Sequence, residues 1–271
     1  MIAGIDFGTS LVKAAWRNNE KFKFSSTANT NLEEIVKELN NDRITKVNIV
    51  GVGYSNNYEK YFKDFEINIQ KKDLIIQEKK IQVAGLKKLM QYNGEDLTNF
   101  ILVSIGTGTS YSLRSHGFTI PVPLGNSLSG GFLEGIGKHL GIDNYQEMSE
   151  MATKGKPLNI YVKERLPNLE GTIMGEYVIS HFAKANKDSS KEDVLATSID
   201  IISSTTVKDL ALLSHSSKLF KWTNNIVYIG SPVTNFPSLK ESLENYSAML
   251  NKKTYFPNNG EFSLAIGAHY M

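Results

Sequence analysis

The spacing of apolar residues along the first forty positions changes once. Residues 1–6 form a short apolar run ending on Asp6, Gly8-Thr9-Ser10 interrupt it, and a second apolar run extends from Leu11 to Trp16. That pattern predicts strand, tight turn, strand. Phe22 to Ser26 predicts a third antiparallel strand, and Leu32, Ile35, Val36 and Leu39 then recur at helical spacing. Val47–Val50 reads as a buried strand stopped by Gly51 and Gly53, and the Tyr-rich stretch 54–65 reads as a partly exposed helix. A further helix is predicted from near Glu78 to Tyr92, ended by Asn93-Gly94 as a C-cap.

FILVSIGTGTSYSLR, residues 100–114, repeats the opening theme of apolar strand, Gly/Thr turn and outgoing strand. The repeat predicts two similar lobes, 1–98 and 99–271, facing each other across a cleft. The second half is more helical. A glycine-rich segment (125–137) runs into a helix, another helix lies around Tyr145–Met151, and a long one runs from Lys191 to about Leu213, with Ser189 and Ser190 as N-cap candidates. Asn225–Ile229 reads as a strand ending at Gly230-Ser231. Thr254–Phe256 is a last strand-like piece before a terminal helix beginning at Glu261.

Composition narrows the chemistry. The 271 residues are 41% hydrophobic and 21% charged, as expected of a packed fold, and 30 basic against 28 acidic residues give a net charge of +2. So weak a field gives no reason to expect a nucleic-acid partner. The absence of cysteine excludes disulfides and thiolate metal sites. MIAGID lacks a basic n-region, and no run approaches the roughly 18 apolar residues of a membrane span. A cytoplasmic location with no membrane partner is the expectation. The five histidines show neither HxxxH nor HxH spacing, and no Walker A, GxGxxG dinucleotide or GxSxG pattern is present.

Four segments carry candidate chemistry. In DFGTSLVK, residues 6–13, the turn Gly8, Thr9, Ser10 can present backbone N–H groups to phosphate oxygens, Asp6 can hold Mg²⁺, and Lys13 can add a charge; a plain hairpin with an exposed Asp fits equally. IGTGTS offers Gly106, Thr107, Gly108 and Thr109 for the same purpose in the second half. Gly130 and Gly131 of GNSLSGGFLEGIG can line a nucleotide at a helix N-terminus, or can serve tight packing alone. Glu78, placed at the head of a helix, can take the proton of an attacking hydroxyl, or can simply complement the helix dipole.

GIDFGTSLVK, IGTGTS, SLSGGFLEGIG, MSEMATKGK, NNIVYIGS and YFPNNGEFSLAIGAHYM together resemble, in order and spacing, the type II pantothenate kinases of the actin-like superfamily. The resemblance implies an α/β fold of two ribonuclease H-like lobes with a nucleotide cleft between them, and MgATP-dependent phosphorylation of pantothenate to 4'-phosphopantothenate in coenzyme A biosynthesis. It implies Asp6 at Mg²⁺, Gly8–Ser10 and Gly106–Ser110 around the phosphates, Glu78 as general base, and Gly230 and Ser231 by the adenosine. It also implies a homodimer built around helix 191–214, with Tyr255 of one subunit closing the other's pantothenate pocket. Two departures stand out. Thr9 replaces a glycine of the first loop, and Val122 stands near the position where the family places a substrate-contacting Arg, a kind of contact whose deletion costs about 3 kcal/mol elsewhere. Two alternatives follow: a kinase of another small hydroxyl substrate of the N-acetylhexosamine type, whose usual base is Asp rather than Glu, and an ATP-binding regulator that has lost transfer activity.

Overall fold

The computed structural model describes residues 1–70, 74–172 and 174–271. In chain order the elements are β1 (Ile2–Phe7), β2 (Leu11–Asn18), β3 (Lys21–Ala28), α1 (Leu32–Asn41), β4 (Lys46–Val50), a 3₁₀ segment (Asn56–Phe62), β5 (Glu66–Ile69), α2 (Leu74–Tyr92), β6 (Phe100–Ile105), β7 (Thr109–Ser115) and β8 (Phe118–Pro121). There follow α3 (Gly130–His139), α4 (Tyr145–Lys154), the short β9 (Ile160–Tyr161) and β10 (Val178–Ser180), α5 (Lys191–Ser216), α6 (Lys218–Trp222), β11 (Asn225–Ile229), α7 (Ser231–Asn235), α8 (Pro237–Met249), β12 (Lys253–Tyr255) and α9 (Ser263–His269).

Two five-stranded sheets run β3-β2-β1-β4-β5 and β8-β7-β6-β11-β12. In each, a three-strand meander is followed by two strands added in parallel: β4 on β1 and β5 on β4, then β11 on β6 and β12 on β11. The internal repeat read from two Gly/Thr turns is therefore a repeat of topology.

Residues 1–98, 112–123 and 257–271 form one unit, and residues 99–111 and 124–256 the other. This corrects the simple division at residue 98: the C-terminal helix folds back into the unit that holds the N-terminus. The reason lies in the two faces of β1. Period-two alternation sends Ala3, Ile5 and Phe7, with Val12, Ala14 and Trp16 of β2, into one core against α1 and the 3₁₀ segment. The opposite face carries Gly4, and a Cβ built there would lie 1.9 Å from the Ala265 carbonyl oxygen of α9. On the far side of α9, a Cβ on Gly267 would lie 2.2 Å from the Ile81 carbonyl of α2, and one on Gly85 only 1.9 Å from that of Ser263. Three glycines thus let β1, α9 and α2 stack backbone to backbone. The buried Asn48 amide of β4 donates to the Ala268 carbonyl at 2.8 Å and ties the layer down.

In the second unit α5 packs against α3, α4, α6 and α8. Ser190 caps it by accepting from the Asp193 N–H, as its sequence predicts. The strands β5, β8, β9 and β10 have two to four residues each, too few for a period to register in sequence. The stretch 54–65 forms only a seven-residue 3₁₀ segment rather than a full helix. The terminal α-helix begins at Ser263, after a 3₁₀ turn at Gly260–Phe262. α2 starts at Leu74, four residues ahead of Glu78, so Glu78 does not stand at the helix head.

Replacing Gly267 or Gly85 by Ala would force α2 and α9 apart. Each substitution is expected to destabilise the protein by about 3 kcal/mol, the upper range for overpacking, read as a lower denaturation midpoint in urea; a midpoint shift equal to that of Gly135→Ala, where a Cβ meets nothing within 4 Å and φ is not positive, would contradict the stacking argument.

Candidate functional site

In the first unit, Asp6 ends β1 on the face shared with Gly4, and its strand partner is Lys13 on β2. Asp6 is 8% exposed, so the exposed-hairpin alternative does not hold. Burial raises its carboxyl to about 6, against the opposing pull of Lys13. Beyond Asp6 the chain turns at Gly8, whose N–H donates to the Leu11 carbonyl at 3.0 Å. Asn29 at the end of β3 donates to the carbonyls of both Gly8 (3.2 Å) and Thr9 (3.0 Å). Across a planar trans peptide the N–H points opposite to the C=O, so the amides of Thr9 and Ser10 face away from Asn29. That is the orientation an anion-binding turn needs. Asn29 is a contributor the sequence reading did not identify.

Behind the turn, Gly53 donates to the Phe7 carbonyl at 2.9 Å. Gly51 adopts φ +108, a conformation L side chains rarely take. Between them the Val52 backbone N–H bonds the carboxylate of Glu78. Oε2 of Glu78 is buried with no hydrogen-bond partner among the described residues. Burial first, and the negative charge of Asp6 second, push its carboxyl up to about 7, while Lys79 and the Val52 N–H act in the opposite direction. A carboxyl held near neutrality, with one oxygen unengaged, has the proton affinity of a general base working at pH 7. Its helix-dipole alternative loses ground, because Glu78 is the fifth residue of α2 and its charge is opposed by a second buried carboxylate. Its neighbour Lys79, also missed in sequence, is 8% exposed and donates to the Val122 carbonyl just beyond β8. Desolvation lowers its pKa.

In the second unit the β6–β7 turn is braced from behind. The N–H groups of Gly130 and Gly131 donate to the carbonyls of Gly106 (2.9 Å) and Thr107 (3.0 Å), and Ser129 Oγ also reaches the Gly106 carbonyl at 2.9 Å. The amides of Gly130 and Gly131 are therefore engaged by the turn, and the contribution of these two residues is to aim it. By the same planarity, the N–H groups of Thr107 and Gly108 point away from α3. Asn126 fastens the glycine-rich segment. Its backbone exchanges both hydrogen bonds with Thr109 (2.9 and 3.0 Å), and its amide nitrogen reaches Tyr111 Oη and Asp209 Oδ2, each at 2.8 Å.

Gly106 and Gly108 stand apart from the packed glycines. Neither has a positive φ, and a Cβ on them would approach nothing in the protein closer than 3.8 and 3.5 Å. Internal packing does not require glycine here, so the missing side chains leave space in front of the turn for something from outside. Gly230 is different: at φ +120, a Cβ would lie 1.9 Å from the Ile105 carbonyl, which fixes the start of α7 at Ser231 beside the end of β6. Tyr255 lies half-buried on β12 under the Lys253 ammonium, 5.0 Å from the ring centroid.

Among the described residues no cluster of three or more His, Cys, Asp or Glu forms a metal cage. None of the helices is long and apolar enough to cross a membrane, again among the described residues. Asp6 suits a hard cation that keeps most of its shell from water and phosphate oxygens, as Mg²⁺ does.

No protein-family model matches the chain. The type II pantothenate kinase of Staphylococcus epidermidis (strain ATCC 12228 / FDA PCI 1200) is 26% identical over 278 residues, covering 100% of both chains. The protein of the same name from Staphylococcus aureus (strain USA300) is 28% identical over 284 residues, covering 100% of this chain and 99% of its own. Among solved structures, the activator of the 2-hydroxyisocaproyl-CoA dehydratase from Clostridium difficile, with bound ADPNP, superposes with a TM-score of 0.62 at 13% identity, over 99% of this chain and 93% of its own. The ethanolamine utilization protein EutJ from Carboxydothermus hydrogenoformans gives 0.54, also at 13% identity, over 98% and 89%. With its two mixed five-stranded sheets and flanking helices, the chain has the actin-like α/β fold.

A carboxyl whose folded pKa lies above its unfolded value stabilises the fold while protonated. For Glu78 that contribution is present below 4.5 and is lost as pH rises through about 7, a loss on the order of 3 kcal/mol. Glu78→Gln stays neutral throughout. The variant should therefore gain on the native protein by that order between pH 4.5 and 8, measured by urea unfolding at each pH; a difference that does not change with pH would show that Glu78 titrates normally.

Proposed function

We propose that the chain is an ATP-dependent kinase that phosphorylates the primary hydroxyl of pantothenate to 4'-phosphopantothenate, the first step of coenzyme A biosynthesis. The observation that carries this reading is the Glu78 carboxyl, buried beside Asp6 with an unengaged oxygen and a pKa of about 7. The full-length likeness to proteins named type II pantothenate kinase supports the choice of substrate. The reading assigns both phosphate turns to one ATP. The amides of Thr9 and Ser10 and those of Thr107 and Gly108 receive phosphate oxygens, and Gly230 and Ser231 lie by the adenosine. Lys13 adds charge near the first turn, and Thr109 holds the second turn to Asn126. Asp6 holds Mg²⁺ directly or through water. When bound, Mg²⁺ neutralises charge on the phosphates. Glu78 accepts the proton of the attacking hydroxyl, so that most of the acceleration comes from positioning and charge stabilisation. The homodimer along α5, with Tyr255 reaching the other subunit's acceptor pocket, belongs to the same reading. Sedimentation at twice the chain mass is the result it requires.

An acceptor panel with MgATP tests the reading as a whole. Pantothenate should be phosphorylated and N-acetylhexosamines should not, and Glu78→Gln should lose roughly 100-fold or more in turnover while still binding ATP. Near-normal turnover in that variant would remove Glu78 from the role of base. The substitution of Arg by Val122 favours a second reading, an ATP-binding regulator without transfer activity, and tight ATP binding with no turnover on any acceptor would select it.

The second turn has its own test. Gly108→Ala should unfold within about 1 kcal/mol of the native protein, since the Cβ finds room. Its ATP affinity, measured by calorimetry, should fall at least about tenfold, because the side chain occupies the space in front of the amides. Unchanged affinity would place the nucleotide elsewhere.

A further inference from the structure

We propose that Lys79 is the cation of the acceptor site, where its ammonium holds an oxyanion, either the transferring phosphoryl group or a carboxylate of the acceptor. The inference rests on the kinase reading above and names a residue which that reading does not use.

The geometry that supports it lies within one unit. Lys79 is among the few buried charged residues, 8% exposed, and its side chain lies against the Val122 carbonyl beyond β8. It directly follows Glu78 on α2, and its charge is felt by the Glu78 carboxyl. An ammonium has three N–H donors, and the Val122 carbonyl takes one. Lysines are rarely buried without a partner anion, because the desolvation of the charge must be offset. Here the neighbouring charges are Glu78 and, beyond it, Asp6 with its strand partner Lys13. Lys13 faces Asp6 across the β1–β2 pair. Arg114, the one Lys or Arg of the 112–123 hairpin, directs Nη1 to Thr119 Oγ1 at 3.5 Å on the adjacent strand. Lys79 is thus the buried cation next to the proposed base among the described residues. Two carboxylates aimed at a phosphoryl transfer would repel the incoming anion, and a fixed positive charge beside them offsets that repulsion.

Fixing the ammonium on a backbone carbonyl also explains why Val122 is tolerated. What position 122 supplies is its carbonyl oxygen, which any residue has, while the charge comes from α2.

The test compares Lys79→Met, Lys79→Gln and Lys79→Arg. Gln keeps a donor for the Val122 carbonyl but no charge; equal thermal midpoints for it and the native protein establish folding, and it carries the test if Met fails to fold. Steady-state kinetics with MgATP are paired with calorimetric binding of pantothenate and of its neutral amide. The Gln and Met variants should lose about 100-fold in kcat/KM, and Arg should recover to within about tenfold. Weaker binding of pantothenate alone identifies the acceptor carboxylate as the oxyanion. Unchanged binding of both acceptors with slower turnover of both identifies the phosphoryl group. Gln and Met variants within about twofold of the native protein in every measurement would overturn the proposal. If the native protein turns over no acceptor, the kinase reading has failed separately, and inorganic pyrophosphate decides for Lys79: its binding should weaken in the Gln variant, and equal binding would reject an oxyanion site there.

Discussion

The arrangement depends on the backbone contact of α9 with β1 on one side and α2 on the other. Gly4, Gly85 and Gly267 remove the side chains that would otherwise hold these three elements at ordinary packing distance. Through that stack the C-terminal helix sets where α2 lies over the sheet, and α2 carries Glu78 and Lys79. Alternation along β1 puts Asp6 on the same face two residues after Gly4, so one geometric relation fixes strand end, carboxylate pair and buried ammonium together. The cost is electrostatic: two acids share a desolvated space, and their pKa values rise accordingly.

The second unit solves a different problem with the same topology. A turn that offers amides to an anion must direct its carbonyls elsewhere, and they need partners of their own. In the β1–β2 turn Asn29 supplies those partners; in the β6–β7 turn the start of α3 does. Each turn thus has its carbonyls engaged within its own unit, although different groups hold the two in place. This also separates two kinds of glycine in one stretch of sequence. Those at the start of α3 are bonded to the turn, and those within the turn leave open space in front of it.

Much of this was legible in the sequence. Runs of apolar residues broken by Gly/Thr turns gave the first meander and the β6–β7 hairpin of the second, and the Ser190 cap located the start of the longest helix. The two turns could be read because Gly and Thr interrupting an apolar run leave a local pattern. What escaped was set by distant parts of the chain. The short strands β5, β8, β9 and β10 are too brief for periodicity, and each is defined by pairing rather than by its own residues. Residues 257–271 look like the end of the second lobe, because nothing local shows that Gly267 meets Ile81. Asn29 and Lys79 carry no motif; one is a turn residue and the other a lysine on a lysine-rich helix, and only burial and contact distinguish them. Glu78 could be named from resemblance, but its raised proton affinity comes first from burial and then from the charge of Asp6, both set by other elements.

The central claim is that Asp6 and Glu78 share one desolvated environment at the end of β1. Carboxyl ¹³C NMR titration of the nucleotide-free protein tests it most directly, with Asp6→Asn and Glu78→Gln to assign the signals. The account predicts carboxyls titrating at about 6 and about 7, with the Glu78 value falling when Asp6 is neutralised. Two carboxyls titrating independently near 4 would contradict it.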